Sequence, residues 1–455
     1  MQKNELIKEI TQRECRSGLF DIKINDVGVY NYINRSILRK MLDYHNFGLN
    51  YKNPNVNNKE RKKNLRKSFC QLLSLFVHCK KYENIIRSFE RVDFINGSYV
   101  DKFTDPLVDY TDIGKNCLIL EHGRSGRHLT PRCHFEKIIY TDIIYWLAWK
   151  FISIRKKRFY KKHSDEIDLL FSKIESTFPE IEINKDTLFT TIVRSCFITS
   201  CYKRLFKRVK AKSFFAPSRA SFKHIIPAAK TQGLKVYELQ HGLTYANTLT
   251  YTGFHDPLFT PDFFLSFGKI HSACCYGIEP ERIIEIGWGF ERYFKDKQEK
   301  SSHNNVLVIS DPDVSRKVIS VVCKLAESNP DIIFNLRPHP LEILDTNTLS
   351  NLSKIKNIVI NDNLENIAVV LMRFDCVLGV NSTVLYEALA FKKKVGRLDM
   401  EGLDIKFLDE EDKKYFYMIS DEKSFIEFIN SPFGEKPSLN IYTPFNPETI
   451  NKLLM

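Results

Sequence analysis

The feature that most constrains this chain is an alternation that runs through its second half and restarts once. SFFAP, LKVYELQ, DFFLSFG and RIIEIG read as strands. SRASFKHIIPAAKTQG, closed by Gly233, and KIHSACCYG read as helices between them. A longer helix, from about residue 186 to Lys212, precedes the series. The pattern then begins again. VLVIS (306–310), IIFNLRP (332–338), NIVIN (357–361) and CVLGV (376–380) are strands, separated by helices near 315–328, 364–372 and 383–391. Strands alternating with helices at this spacing predict an α/β fold with parallel sheets in two doubly wound, Rossmann-like halves.

Length agrees with that division. At 455 residues the chain exceeds one ordinary core and suits two domains of roughly 150–250 residues. The polar stretch RYFKDKQEKSSHNN, near 290–305, places the boundary. The expected domains are 1–295, 296–435 and a helical tail, 436–455, placed to return to the first domain. Within 1–110, LIKEI, SILRKMLDY and FCQLLSLFVHC look helical and NYKNPNVNNKERKKN reads as a loop. CLILE, from Cys117, is a buried strand, followed by the loop His122 to His128.

Charge narrows the partners. Lys and Arg number 68 against 55 Asp and Glu, a net +13 that favours an anionic partner. The basic residues are scattered and show no helix-turn-helix, zinc-finger or RNA-binding aromatic motif, so nucleic acid is not expected. The 11 Cys form no C-x-x-C pair and read as reduced thiols of a cytoplasmic protein. No apolar run of 18 residues is present, and the charged N-terminus has no secretory signal. Residues 138–154 form the most apolar helix-length segment, with the basic run 155–162 after it. Two readings stand: a buried helix with a solvated basic end, or a helix on an anionic membrane surface, through 138–162, at the inner face of the cytoplasmic membrane.

In open parallel sheets ligands bind outside the carboxyl ends of the strands, so the residues there are the candidates. Gln240, His241 and Gly242 follow LKVYELQ, with Thr244, Tyr245 and Asn247 beyond. Ser310 ends VLVIS; Asp311 and Asp313, next to it, have the spacing of an Asp-x-Asp metal pair, but no metal is expected. Arg337, His339 and Pro340 end IIFNLRP in a rigid corner that suits a phosphate. Asn381, Ser382 and Thr383 open a helix after CVLGV, where hydroxyls are either caps or phosphate ligands. Glu387, one turn on, is placed to accept from ribose hydroxyls.

The order Gln-His-Gly, Arg-Pro-His-Pro, then Asn-Ser-Thr-x-x-x-Glu-Ala resembles bacterial GT-B glycosyltransferases that build capsules, lipopolysaccharide and teichoic acids. The His-Pro and Ser/Thr motifs are similar to those of bacterial sialyltransferases using CMP-sugars, and the paired His-Gly and His-Pro motifs to CDP-glycerol glycerophosphotransferases. The run FGKIHSACCYGIEPERIIEIGWG looks like the link between GT-B halves, and the resemblance spans roughly residues 210–400. It implies two domains facing a central cleft. It also implies a nucleotide-activated sugar as substrate without further cofactor, and a glycan or lipid-linked acceptor. The lead donor is a CMP-activated ulosonic acid. In such enzymes His339, Ser382 and Thr383 would hold the nucleotide phosphate and His241 would lie near the acceptor. The Asp/Glu-Asp/Glu-Gly motif of the sialyltransferases is missing, and Glu121, in Glu-His-Gly at a strand end, is the nearest stand-in for its catalytic carboxylate. A CDP-polyol phosphotransferase of capsule or teichoic-acid type, a nucleotide-sugar 2-epimerase of the same fold, and a glycan-binding scaffold are the competing readings.

Overall fold

The computed structural model describes residues 3–45, 58–78, 80–89, 91–123, 127–244, 251–268, 276–294, 304–311, 314–339, 342, 344–361, 365–400, 402–403, 405, 410–437 and 442–454. Two parallel sheets organise them. The first is built from β1 (Asn84–Arg87), β2 (Cys117–Glu121), β3 (Ile138–Tyr140), β4 (Ser213–Pro217), β5 (Lys235–Leu239), β6 (Phe263–Ser266) and β7 (Ile283–Glu285). Their order across the sheet is β7-β6-β5-β4-β1-β2-β3. The second contains β8 (Asn305–Ile309), β9 (Ile333–Arg337), β10 (Ile358–Ile360), β11 (Cys376–Gly379), β12 (Lys394–Leu398) and β13 (Tyr417–Ile419), in the order β10-β9-β8-β11-β12-β13. Both orders reverse direction once, between β1 and β4 and between β8 and β11. Those are the switch points at which doubly wound sheets open a crevice.

The two Rossmann-like α/β halves are therefore those the alternation predicts. β2, β4 and β12 are buried at every position, as strands covered by helices on both faces must be. The helix Ser315–Ser328 shows how its sequence sets the packing. Val318, Val321, Val322 and Leu325 recur at helical spacing, and all are buried against β8 and β9. Asn184 starts the helix Lys185–Val209 by accepting from the Thr187 N–H.

Some local expectations give way. Residues 138–154 are not one helix. Ile138–Tyr140 pairs with β2 as the edge strand β3, a helix covers Asp142–Lys150, and a second runs Ile152–Thr177 after a break at Phe151. The predicted helix over 218–233 shrinks to Ile226–Lys230, because Pro227 sets its first turn and the residues before it turn instead. Gly233 still closes it with φ +74°, as only a residue free of Cβ does cheaply. Half of the predicted loop 50–64 is helix, since Asn58–His78 is continuous. The predicted helix KIHSACCYG lies almost wholly outside the described residues, as do the boundary residues 295–303.

Two additions accompany the two sheets. An antiparallel hairpin, Val92–Ile95 with Ser98–Asp101, is inserted after β1 and reaches the second domain. Its Ile95 and Val100 join Phe103, Phe267 and Trp288 in one apolar cluster with Ile309, Leu371 and Leu385 of the second sheet's domain. The last residues run back to the first domain. The Thr443 N–H donates to the Phe267 carbonyl, the Asn446 N–H to the Ile286 carbonyl, and Ile450 is buried beside Tyr237 and Leu239. Among the described residues no helix is long and apolar enough to cross a membrane.

Candidate active site

The carboxyl ends of β8, β9 and β11 and the inserted hairpin enclose a cleft of about 740 Å³. Ligand sites usually hold roughly 300–1,000 Å³, so a nucleotide with a sugar attached fits. Ser310, Arg337, His339, Ser382 and Thr383 line one wall, and Asp93, Phe94 and Tyr99 line the other. Pro340 lies outside the described residues, as do Asp313, Tyr245 and Asn247.

Each residue reaches the cleft for a local reason. Ser310 follows β8 at the switch point and is 1% exposed, and its Oγ has no hydrogen-bond partner. A buried hydroxyl in that state accepts or donates to whatever enters the cleft. Arg337 is buried and donates to the Glu365 carbonyl at 2.5 Å, which sets its guanidinium beside the cleft. The His339 N–H donates to Glu342 Oε2 at 3.0 Å, fixing the corner after β9. Ser382 Oγ accepts from the Val384 N–H at 3.3 Å, at the start of the helix Val384–Ala390, and Thr383 is exposed to the cleft. Asn381 is tied back instead: its Oδ1 accepts from Arg397 at 3.0 Å. Glu387 points across the domains, with Oε1 3.5 Å from Lys102 Nζ and a buried Oε2 that has no partner. Glu387 is not among the residues that line the cleft.

The histidine of the first domain stands apart from this wall. His241 follows β5 and packs edge-on against Phe89, with ring centroids 5.1 Å apart. Its Nδ1 is buried and unpartnered. Burial, with Arg91 and Arg35 adding to it, pulls the imidazole down to about 3, so it is neutral at physiological pH. Gln240 holds the turn: its side chain donates to the Gly242 carbonyl at 2.9 Å and accepts from the Phe267 N–H at 2.7 Å. Gly242 is not forced by crowding, since a Cβ there would meet nothing within 4 Å.

Glu121 is enclosed in a charge network. It is 4% exposed, with Oε1 2.6 Å from His128 Nδ1 and Oε2 accepting from Arg132 Nε at 3.2 Å. His128 Nε2 faces Asp142 at 2.9 Å. A ring between two carboxylates must carry protons on both nitrogens. Burial opposes that charge, but Asp142 and Glu121 outweigh it and hold His128 up at about 9. Arg132 completes the network with a bidentate pair to Asp105. Both oxygens of Glu121 are committed, which is the geometry of a structural carboxylate.

The sign of the resulting pH dependence follows. The His128 pKa is raised from an unfolded value near 6.5, so its contribution is complete below that pH and is lost as pH rises through about 9. We expect the stability difference between wild type and His128→Gln to reach about 3 kcal/mol below pH 6.5 and to shrink steadily towards pH 9.5. Urea unfolding at several pH values checks this; a difference that is flat with pH would contradict the charged ring.

Sequence reading missed the opposite wall altogether. Asp93 and Tyr99 lie in a short hairpin with no helix or strand periodicity long enough to flag. Burial raises the Asp93 carboxyl, with Asn366 beside it. Arg397, on β12, was also missed. It is 1% exposed, donates to the Val380 carbonyl and to Asn381, and so orients the loop that carries Ser382. Among the described residues, Asp109, Cys133 and His134 have donor atoms within 4.8 Å of one another. His134 already pairs with Asp109 at 2.9 Å, and Tyr293 donates to the same carboxylate.

No protein-family model and no curated protein matches this sequence. Solved structures do. A UDP-GlcNAc 2-epimerase from Neisseria meningitidis bound to UDP-GlcNAc is 12% identical, with a TM-score of 0.48 over 82% of this chain and 97% of that one. The wall teichoic acid polymerase TagF is 12% identical, with a TM-score of 0.42 over 92% and 97%. A glycosyltransferase from Rickettsia africae is 13% identical, with a TM-score of 0.45 over 82% and 91%. At these values the likeness carries no argument about chemistry, which has to be read from this chain's own residues.

Proposed function

We propose that this protein transfers a sugar from a nucleotide-activated donor held in the interdomain cleft to an acceptor hydroxyl on the side of the first domain. The observation that carries the reading is the buried, unpartnered Ser310 Oγ, set beside Arg337, His339, Ser382 and Thr383 at the switch point of the second sheet. These groups suit a departing phosphate, whose negative charge they would stabilise as it develops. In the reaction the acceptor oxygen attacks the anomeric carbon. The bond from that carbon to the phosphate oxygen breaks, the nucleotide leaves with the electron pair, and the hydroxyl proton passes to His241. The lead donor is a CMP-activated ulosonic acid and the lead product a bacterial surface glycan, on the resemblance of the His-Pro and Ser/Thr motifs. A CDP-polyol substrate would use the same phosphate groups.

Replacing Ser382 and Thr383 together by Ala should weaken nucleotide binding by about 1–3 kcal/mol. Calorimetric titration of the folded double variant checks it, and unchanged affinity would remove their phosphate role.

We further propose that the protein lies on an anionic membrane. Trp149, Phe151 and Ile154 are exposed, and the adjacent helix Asn58–His78 exposes Phe69, Leu73, Phe76 and Val77 along one face. Arg155 is committed to the Phe197 ring and the Leu147 carbonyl, and Lys156 to Asp186. Lys157 and Arg158 remain exposed, each worth about 1 kcal/mol near anionic lipid. Reversing both charges should therefore reduce sedimentation with phosphatidylglycerol vesicles by well over tenfold in affinity. Undiminished sedimentation would leave this face as ordinary surface.

A further inference from the structure

A second cavity, of about 80 Å³, lies in the first domain and shares no lining residue with the cleft. A single water needs roughly 10–15 Å³ of such space, so the cavity has room for a phosphate or a carboxylate and is far smaller than the cleft. Arg219 and Lys223, from the turn after β4, line it together with Arg35 of the helix Asn34–Tyr44.

Lys223 has no carboxylate at contact distance, and the Arg219 guanidinium is only partly satisfied. Arg219 is 7% exposed; its Nε pairs with Glu238 at 2.6 Å, but its Nη2 is buried without a partner. Lys223 Nζ donates to two neutral oxygens, the Asn31 carbonyl at 2.8 Å and Asn34 Oδ1 at 2.5 Å. The acids that line the cavity are occupied. Asp256 accepts from Asn31 Nδ2 and from the Leu258 N–H, both at 2.8 Å. Glu14 accepts from the Tyr30 hydroxyl at 2.6 Å, and burial pushes it up to about 7, so much of it is neutral. Burial, with Arg35 adding to it and Glu14 opposing, pulls Lys223 down to about 7.

Position links the cavity to the acceptor side. β4 and β5 are paired, with Pro217 opposite Leu239, so Arg219 and His241 leave neighbouring strand ends. Arg35 lies near enough to both to line the cavity and to act on the His241 ring.

We propose that this cavity is a subsite for an anionic group, a phosphate or a carboxylate, carried by the acceptor. Its assignment to the acceptor rests on the transferase reading; the anion site itself does not.

The test uses the full chain with nucleotide saturating the cleft. Inorganic phosphate, glycerol 3-phosphate and glucuronate are each titrated calorimetrically. At least one should bind with nucleotide in place, and Arg35→Gln and Arg219→Gln should each weaken it roughly tenfold or more. The preferred probe tells phosphate from carboxylate. Arg219→Gln also strips a partner from Glu238; if it fails to fold, the half-buried Arg35 still decides. Anion binding that nucleotide displaces completely, or that neither substitution changes, overturns the subsite. In transfer assays, Arg35→Gln should raise the acceptor KM and leave nucleotide Kd unchanged; a raised nucleotide Kd instead overturns the acceptor assignment. A wild type that binds no nucleotide removes the transferase reading, and the anion titration alone then judges the cavity.

Discussion

Replacing His241 by Ala should cut turnover by roughly 100-fold or more while nucleotide affinity stays nearly intact. The ring sits at the end of β5 in the first domain, whereas the residues suited to the phosphate all belong to the second. Its buried Nδ1 has no hydrogen-bond partner, so no neighbour competes for that nitrogen. The pH profile sharpens the test. With the imidazole held near 3, the ring is neutral throughout the usual assay range, so kcat/KM, which reports the free enzyme, should show no acid limb from this residue near pH 6.5. A nucleotide phosphate in the cleft adds negative charge and should move the corresponding limb of kcat upwards. Full turnover in His241→Ala would place the base elsewhere. Lost nucleotide binding would place His241 on the donor side.

The largest stability effect should come from Arg132. Its side chain is 1% exposed and ion-paired to Asp105, itself fully buried, and to Glu121. Arg132→Met would leave Asp105 buried without its counter-charge and Glu121 with only the His128 imidazolium. Removing one partner of such a pair typically costs about 3–5 kcal/mol, enough to consume a large part of a domain's stability. Urea unfolding measures it. A loss below about 1 kcal/mol would mean that water reaches this network. Because Glu121 belongs to the same network, Glu121→Gln should lower stability as well. Activity measured on the folded fraction then separates that effect from a role as base.

Much of the second domain could be read from sequence because its strands are uninterrupted apolar runs next to Gly, Pro or Asn. VLVIS and CVLGV are buried throughout and stand out for that reason. Their carboxyl ends delivered Ser310, Ser382 and Thr383 to one cleft, as the rule for open parallel sheets requires. The first domain was harder. Its central strand, Asn84–Arg87, is four residues long and ends in a charge that is buried only by tertiary contacts. β12 escaped for a similar reason: KVGRL carries a Lys and an Arg, yet every position is buried. The run 138–154 misled because no Gly or Pro marks the change from strand to helix. Glu121 drew attention as a carboxylate at a strand end. Sequence could not show that His128, seven residues later, and Arg132 would close on it. Arg219 had the same visible signal as His241, a position just past a strand, and was overlooked because it stands in no recurring motif.

The central claim is that the cleft at the second switch point binds a nucleotide through its phosphate. Titrating CMP, CDP, UDP and GDP into wild type and into His339→Ala tests it most directly. At least one nucleotide should bind the wild type, CMP ahead of the others, and binding should weaken by about 1–3 kcal/mol in His339→Ala. Tighter binding of CDP would transfer the donor to a polyol phosphate, and tighter binding of UDP would favour the epimerase. Binding of none of the four, or binding that is indifferent to His339, would contradict the account.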